Sequence, residues 1–453
     1  MASTNQTRKR KAAAVTDESF GRSSVWDASR SDFSGPWGRF DDESKWEKAG
    51  KRADEDIASI IGPAILPRWY FEQQLSSGWH PGAKATQKAT EIVPSHAWSF
   101  HRALPLPTTF PLPSKLRQTI SVGNSGVDTI AASHAGLVAC GRVDGDVSVY
   151  SLPESATGSY SEAAVLKGHT EAINALCWPG GAGSLISGSH DGTLKLWDLE
   201  RNHATTSPLR DVQGMDAFDS IKFYPTSLAP QPGQPAIVYA SVGVSGSGRS
   251  LASARSRVVR WDTRMAAPEM LPCGLFDRNV NAISFSEDGR YYVTGDDTNR
   301  VMLFSVTAPT MAVDVLGTSS RFPKSAICRV GSDRWAVSTR SHHIQMIDFK
   351  DGRIKFMTTR VDGKETNVSL RGGGFTTGQT IGLDASPDGR YVVSGSGKGG
   401  VFLWKVDSNR EQFMTTDPVK ILRHGDEPVG GVAWSPLGGV WSSGADGRVK
   451  LWR

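Results

Sequence analysis

Ser286-Glu-Asp-Gly-Arg-Tyr-Tyr-Val-Thr-Gly295 returns a hundred positions later as Ser386-Pro-Asp-Gly-Arg-Tyr-Val-Val-Ser-Gly395. In each, an Asp-Gly pair sets a tight turn, and the residues after it alternate into a strand. A second strand follows and ends on an aromatic, Phe304 in one case and Trp404 in the other. Recurrence of so small a unit predicts a fold of stacked copies, none of which buries its apolar face alone.

The aromatic-ended strand serves as a ruler. It recurs as Val147-Ser-Val-Tyr150, Leu194-Lys-Leu-Trp197, Val258-Val-Arg-Trp261, Val301-Met-Leu-Phe304, Ile344-Gln-Met-Ile347, Val401-Phe-Leu-Trp404 and Val449-Lys-Leu-Trp452. Seven copies after Leu116 come to about 48 residues each, above the ~40–45 of a four-stranded propeller blade. Two regions are expected to hold the excess as solvated loops. They are 225–235 with 243–255 in copy three, and 351–378 before copy six. Copy seven lacks an outermost strand after Trp452. The alternating segment Leu116-Arg-Gln-Thr-Ile-Ser-Val122 is the expected donor, because it would close the ring and remove the open sheet edges.

The fullest copy contains Gly168-His169, Ser187, Asp191-Gly192 and Trp197-Asp198, and it resembles the WD-repeat signature. That resemblance implies a hydrogen-bonded chain through His169, Ser187, Asp191 and Trp197, of the kind that fixes strand register when fully satisfied. Copy seven keeps Ser442, Asp446 and Trp452. Its His424 stands ten residues before Trp434, against nine from His169 to Trp178, which predicts a bulge there. The other copies are degenerate; Lys398 occupies the turn-aspartate position of copy six. Apolar packing should therefore hold most of the ring. The expected fold is all-β: a seven-bladed WD-repeat β-propeller over 113–453, preceded by a largely disordered N-terminal arm over 1–112.

Composition agrees with one large β domain and an appendage: 453 residues, with 48 glycines for tight turns. No run nears the ~18 apolar residues of a membrane-spanning helix, and the N-terminus has no apolar export core. Cys140, Cys177, Cys273 and Cys328 stand singly, without metal-ligand spacing, and read as reduced thiols. A net charge of +5 is too mild to argue for nucleic acid by itself.

Arg8-Lys9-Arg10-Lys11, close to the terminus, reads as a nuclear import run. Mixed charges broken by Pro and Gly follow as far as Asp56, a composition that stays disordered in isolation. Yet the arm carries Trp26, Trp37, Trp46, Trp69, Trp79 and Trp98. Large aromatics in so polar a segment suit anchoring in a partner's pockets. Gly35-Pro36-Trp37-Gly38-Arg39-Phe40-Asp41-Asp42-Glu43 resembles a box of the pre-mRNA-processing factor 17 family, also called cell-division-cycle protein 40. The family pattern is Gly-Pro-Trp, a small residue, a basic one, an aromatic, and Asp-Glu after one more position. Trp261-Asp-Thr-Arg264 and the stretch from Asp446 to Trp452 fit the same family, although many WD proteins share them. The linker after the box is shorter than the family's, and copy one has lost its Trp-Asp.

The resemblance implies a non-catalytic scaffold of the spliceosome, acting in the nucleus at the second, exon-ligation step of pre-mRNA splicing. Its partners would be core spliceosomal proteins, with any contact to snRNA or pre-mRNA indirect or peripheral. The chain would be a monomer within a large complex, with no membrane and no cofactor. Gly35, Pro36, Trp37 and Phe40 are then the candidate partner-binding residues. The alternative reading rests on the resemblance of Trp261-Asp-Thr-Arg264 to the Trp-Asp-x-Arg motif of substrate receptors for cullin-type ubiquitin ligases. It leaves the Gly-Pro-Trp box unexplained, and copy four ends in Phe304-Ser.

Enzyme chemistry is not expected. His169, Ser187 and Asp191 could pass for a hydrolase triad, but the WD signature accounts for all three together with Trp197. No Gly-x-Ser-x-Gly elbow sits on a strand-to-helix turn. Gly395-Ser-Gly-Lys-Gly-Gly400 satisfies Gly-x-Gly-x-x-Gly, yet it lies in a hairpin with no helix to aim at a phosphate. His342-His343 lacks a further ligand, so no metal is expected.

Overall fold

A computed structural model describes residues 90–94 and 107–453, apart from 153–157, 181–182, 209–221, 246–257, 266, 272–278, 298–299, 318–323, 333, 340–343, 362–363, 371–380 and 407–416. The strands form seven antiparallel sheets and one separate hairpin. Blade one spans 127–167, two 173–208, three 222–271, four 280–317, five 324–370, six 383–423 and seven 429–452. The first strands of neighbouring blades touch all the way round, with blade seven meeting blade one. The chain is a closed seven-bladed β-propeller.

Each gap between adjacent blades is filled by its own cluster of buried side chains. Consecutive residues of one strand point into opposite gaps, because the side-chain period of a strand is two. Thus Val301 and Leu303 enter the gap toward blade five, while Met302 and Phe304 enter the gap toward blade three. Burial on both faces explains the unbroken apolar runs that served as the ruler. The aromatics that end them, Trp197, Trp261, Phe304 and Trp404, are fully buried.

The ring closes as the alternation of 116–122 predicts. Leu116–Ser121 is the outer strand of blade seven, paired antiparallel with Arg448–Trp452 so that Ile120 faces Val449. Arg453 and Lys115 extend the ladder by exchanging backbone hydrogen bonds of 2.8 and 2.9 Å.

Three expectations are corrected. The stretch 225–235 is not a loop for most of its length, because Lys222–Pro230 is the first strand of blade three. Two prolines are tolerated there because this strand pairs on one side only, where a missing N–H breaks no second ladder. The register also shifts between Pro225 and Ser227. The stretch 351–378 is likewise structured in part. Arg353–Phe356 and Ser369–Leu370 pair with the two halves of the same strand, Ile344–Lys350. Between them Thr358–Val361 and Lys364–Asn367 form a hairpin, so the outer strand of blade five is split by an excursion. Met357 and Val368, at the hairpin's base, are buried in the gap between blades five and six.

The third correction moves the arm's boundary. Glu91–Pro94 adds a fifth strand to the outer edge of blade one. Phe110 fills the gap between blades six and seven, with Leu112 packed beside it. The ring therefore takes in 90–94 and 107–112, which the sequence reading assigned to the arm. The rest of the arm lies outside the described residues.

Candidate functional site

In blade two, the residues singled out by the WD signature form one connected chain. Asp191 is acceptor-only as a carboxylate, so the proton on the neutral His169 ring sits on Nδ1, 2.8 Å from Asp191 Oδ2. His169 Nε2 is then an acceptor for the hydrogen bond donated by the Ser187 hydroxyl, whose Oγ is 2.8 Å away. The Trp197 indole N–H donates to the same Oγ at 2.8 Å. Backbone N–H groups of Thr170 and Thr193 donate to the two Asp191 oxygens. Burial pushes the Asp191 carboxyl upward, but the hydrogen bond from His169 and the donors from Thr193 and Thr170 outweigh it. The net result holds Asp191 well below the usual carboxylate range.

The Ser–His–Asp distances match those of a hydrolase triad, yet the environment forbids that chemistry. Ser187 and His169 are completely buried, and an indole donor occupies the oxygen that would attack. A nucleophile with no route to substrate is a structural element.

Blade seven repeats the chain with the ring turned over. His424 Nδ1 lies 2.7 Å from Ser442 Oγ, which also accepts the Trp452 indole N–H at 2.8 Å. His424 Nε2 faces Asp446 across 3.6 Å, beyond hydrogen-bond reach. The predicted bulge is present between Val429 and Gly431, but blade two has the same one between Ile173 and Ala175. The extra residue is taken up in the loop before the strand, where 425–428 replaces 170–172, and that longer loop presents the imidazole by its other edge. Burial lowers the His424 pKa to about 4; the nearby Asp446 charge opposes this and Lys450 reinforces it.

Elsewhere the described residues of the ring form a channel, turns and buried thiols. First strands and their following turns line a central channel of about 1290 Å³. Asp384 stands in its wall and ties two blades together, accepting the Trp434 N–H at 2.7 Å and the Ala385 N–H at 2.8 Å. Burial raises its carboxyl pKa to about 6 against those two bonds. Gly399 lies in the Gly-rich turn with φ of 74°, where a Cβ would run into Gly425 O. Those glycines admit the neighbouring loop of blade seven, not a phosphate. Cys140, Cys177 and Cys328 are free and buried, and burial pushes each thiol pKa up. Among the described residues, no group of three or more His, Cys, Asp or Glu could hold a metal ion.

In the Trp-Asp-x-Arg turn, Arg264 is bonded in bidentate fashion to Asp262, Nε at 2.8 Å and Nη2 at 2.6 Å. Arg264 is the main reason the Asp262 carboxyl is lowered to about 2. Gly35, Pro36, Trp37, Phe40, the run from Arg8 to Lys11 and the six arm tryptophans lie outside the described residues, as does Cys273. The sequence reading missed the fifth strand on blade one and the Phe110 plug. The only signals were one Ile-Val pair, and a phenylalanine set among prolines.

Comparison with known proteins agrees with this architecture. The family model "WD domain, G-beta repeat" matches residues 161–198, 273–305, 373–405 and 416–453. Pre-mRNA-processing factor 17 of Homo sapiens is 22% identical over 453 residues, covering 94% of this chain and 68% of that one. This chain carries WD repeats and is similar to pre-mRNA-processing factor 17. The Mus musculus protein of the same name is 23% identical over 293 residues, which cover 63% of this chain and 43% of that one. The chain thus spans about two thirds of the human factor's length, and the match to the mouse protein spans less than half of it. Among solved structures, the β-propeller domain of Myceliophteria thermophila Cps50 (Swd1) superposes with a TM-score of 0.55 at 15% identity. It covers 74% of this chain and 99% of that domain, a likeness of fold alone.

Proposed function

We propose that this chain is a nuclear, non-catalytic splicing factor that holds the spliceosome in its exon-ligation arrangement at the second step. The observation that carries the reading is the extent of the similarity. With 94% of the chain inside the match to the human pre-mRNA-processing factor 17, the Gly35–Glu43 box falls within it as well as the ring. A propeller alone would argue only for one of the many WD proteins.

The physical division of labour is between 1–112, as an arm with spaced aromatic anchors apart from the 90–94 and 107–112 that join the ring, and 113–453, as a rigid platform. An arm without a core covers a long surface at modest affinity per contact. Tethering it to a ring makes the second contact effectively intramolecular, so two weak contacts combine into a firm one. Core spliceosomal proteins are the partners, Gly35, Pro36, Trp37 and Phe40 the anchor of the arm, and Arg8 to Lys11 the import signal. The ubiquitin-receptor reading is not favoured: it depends on Arg264, whose guanidinium is already engaged by Asp262 in its own turn.

Depletion of the protein is expected to accumulate first-step intermediates with fewer ligated exons; accumulation of unreacted precursor instead would contradict the second-step assignment. Trp37→Ala is expected to reduce co-purification of core splicing proteins and small nuclear RNAs while leaving the ring's melting temperature unchanged. A drop of several degrees would assign Trp37 to the fold and not to a partner.

A further inference from the structure

The outer wall of the propeller already shows how it receives extended chain. Glu91–Pro94 lies along the outer strand of blade one with Ile92 buried and Glu91 in register opposite Lys167. Phe110 fills the gap between blades six and seven. Each occupant is an extended segment of this chain that supplies an apolar side chain to a gap between blades.

The gap between blades five and six is filled at its core by Met357 and Val368, but among the described residues no further strand lies along its outer edge on the blade-six side. On the blade-six side, Lys420–Arg423 is a short outer strand whose second edge has no strand partner among the described residues. Its register sets Ile421 opposite Phe402, which packs on the core between blades five and six, so Val419, Ile421 and Arg423 face blade five. Val419 is 40% and Ile421 56% exposed, large values for apolar residues in such a position. On the blade-five side, Ile347, Phe349, Ile354 and Phe356 turn toward blade four. Their strand neighbours Lys350, Arg353 and Lys355 therefore face blade six. All three are exposed, and none has an ion-pair partner among the described residues. Carboxylates near the groove include Asp348, buried and in register with Lys355, Asp351 in the turn, and Asp417, exposed two residues before Val419; Arg423 is paired with Asp426. The hairpin of blade five has its base set in the same core by Met357 and Val368. A two-stranded hairpin is marginal alone in water and gains from a neighbour.

We infer that this groove binds an extended, acidic segment of a partner protein, in which apolar side chains alternate with carboxylates. The segment lies along the free edge of Lys420–Arg423, places its apolar side chains on Val419 and Ile421, and turns its carboxylates to Lys350, Arg353 and Lys355. Strand addition supplies main-chain hydrogen bonds, while the alternation supplies selectivity. Charge complementarity selects an acidic occupant over a neutral one and steers its approach. The inference goes beyond the splicing reading and does not depend on it.

The test uses the purified full-length chain and a fluorescein-labelled Glu-Val-Glu-Ile-Glu-Val peptide followed by anisotropy. Lys-Val-Lys-Ile-Lys-Val and an oligouridylate serve as comparisons. The acidic peptide is expected to bind saturably, more weakly as salt rises. Ile421→Ser, and separately Arg353→Glu with Lys355→Glu, should each weaken it about tenfold at an unchanged melting temperature. The substituted side chains are exposed, so the fold should survive. Absence of saturable binding, equal binding by the variants, or equal binding of the basic peptide overturns the inference. Binding of the oligouridylate alone, lost in the charge-reversal variant, would make the groove a phosphate surface and overturn it too.

Discussion

Ser187 Oγ accepts the Trp197 indole N–H and donates its hydroxyl hydrogen bond to His169, and all three side chains are fully buried. Ser187→Ala leaves a buried donor and a buried acceptor without partners, so a loss of about 2–3 kcal/mol is expected as a lower urea midpoint at unchanged slope. Asp446→Ala should cost less than Asp191→Ala, because Asp446 stands 3.6 Å from its histidine while Asp191 bonds at 2.8 Å and also receives two backbone N–H groups. The turned imidazole has a pH signature. His424 has a pKa of about 4 in the folded chain and about 6.5 in an unfolded one, so between those values only the unfolded chain takes up the proton. Its contribution is complete above about pH 6.5 and declines as pH falls toward 4. Asp191, depressed when folded, adds its own loss only as pH falls below its unfolded value of about 3.9. The fall in unfolding free energy from pH 7 to pH 5 should therefore shrink by about 1–2 kcal/mol in His424→Asn. Which residues belong to the two networks was legible from the WD spacing. The orientation of the ring was not, because one added loop residue could have been absorbed in the strand or ahead of it.

Phe110 is 6% exposed and fixes the strap that leads into the outer strand of blade seven. Phe110→Ala is expected to lower stability by about 3–4 kcal/mol in chemical denaturation, the range for truncating a buried aromatic. A change under about half a kcal/mol would mean that the gap is held without it. The elements that could be read in advance were those with a repeating apolar pattern, above all the seven aromatic-ended strands. Elements hidden from the sequence broke a local rule for a tertiary reason. Lys222–Pro230 carries prolines because it is a first strand with a free side. Glu91–Pro94 is too short to show a period and exists by pairing with Ser161–Lys167. The split outer strand of blade five is interrupted at Met357, and its two halves are united only by their common partner.

At the scale of the whole ring, no blade is an independent unit, since every hydrophobic cluster is shared by two neighbours. Deleting Arg448–Trp452 removes one strand from blade seven and strands Leu116–Ser121 without a partner. Calorimetry of that deletion is expected to replace a single sharp transition with a broad one starting at lower temperature; a sharp, unshifted transition would show that closure contributes little. The pairing of Ile120 with Val449 also sets a clock on biosynthesis. A ribosome delivers the later partner about 330 residues after the earlier one, a delay on the order of tens of seconds at about 5–20 residues per second. Until then the blades already synthesised stand in an unclosed ring with open sheet edges. The joint between early and late chain therefore makes closure of the ring one of the last steps of folding.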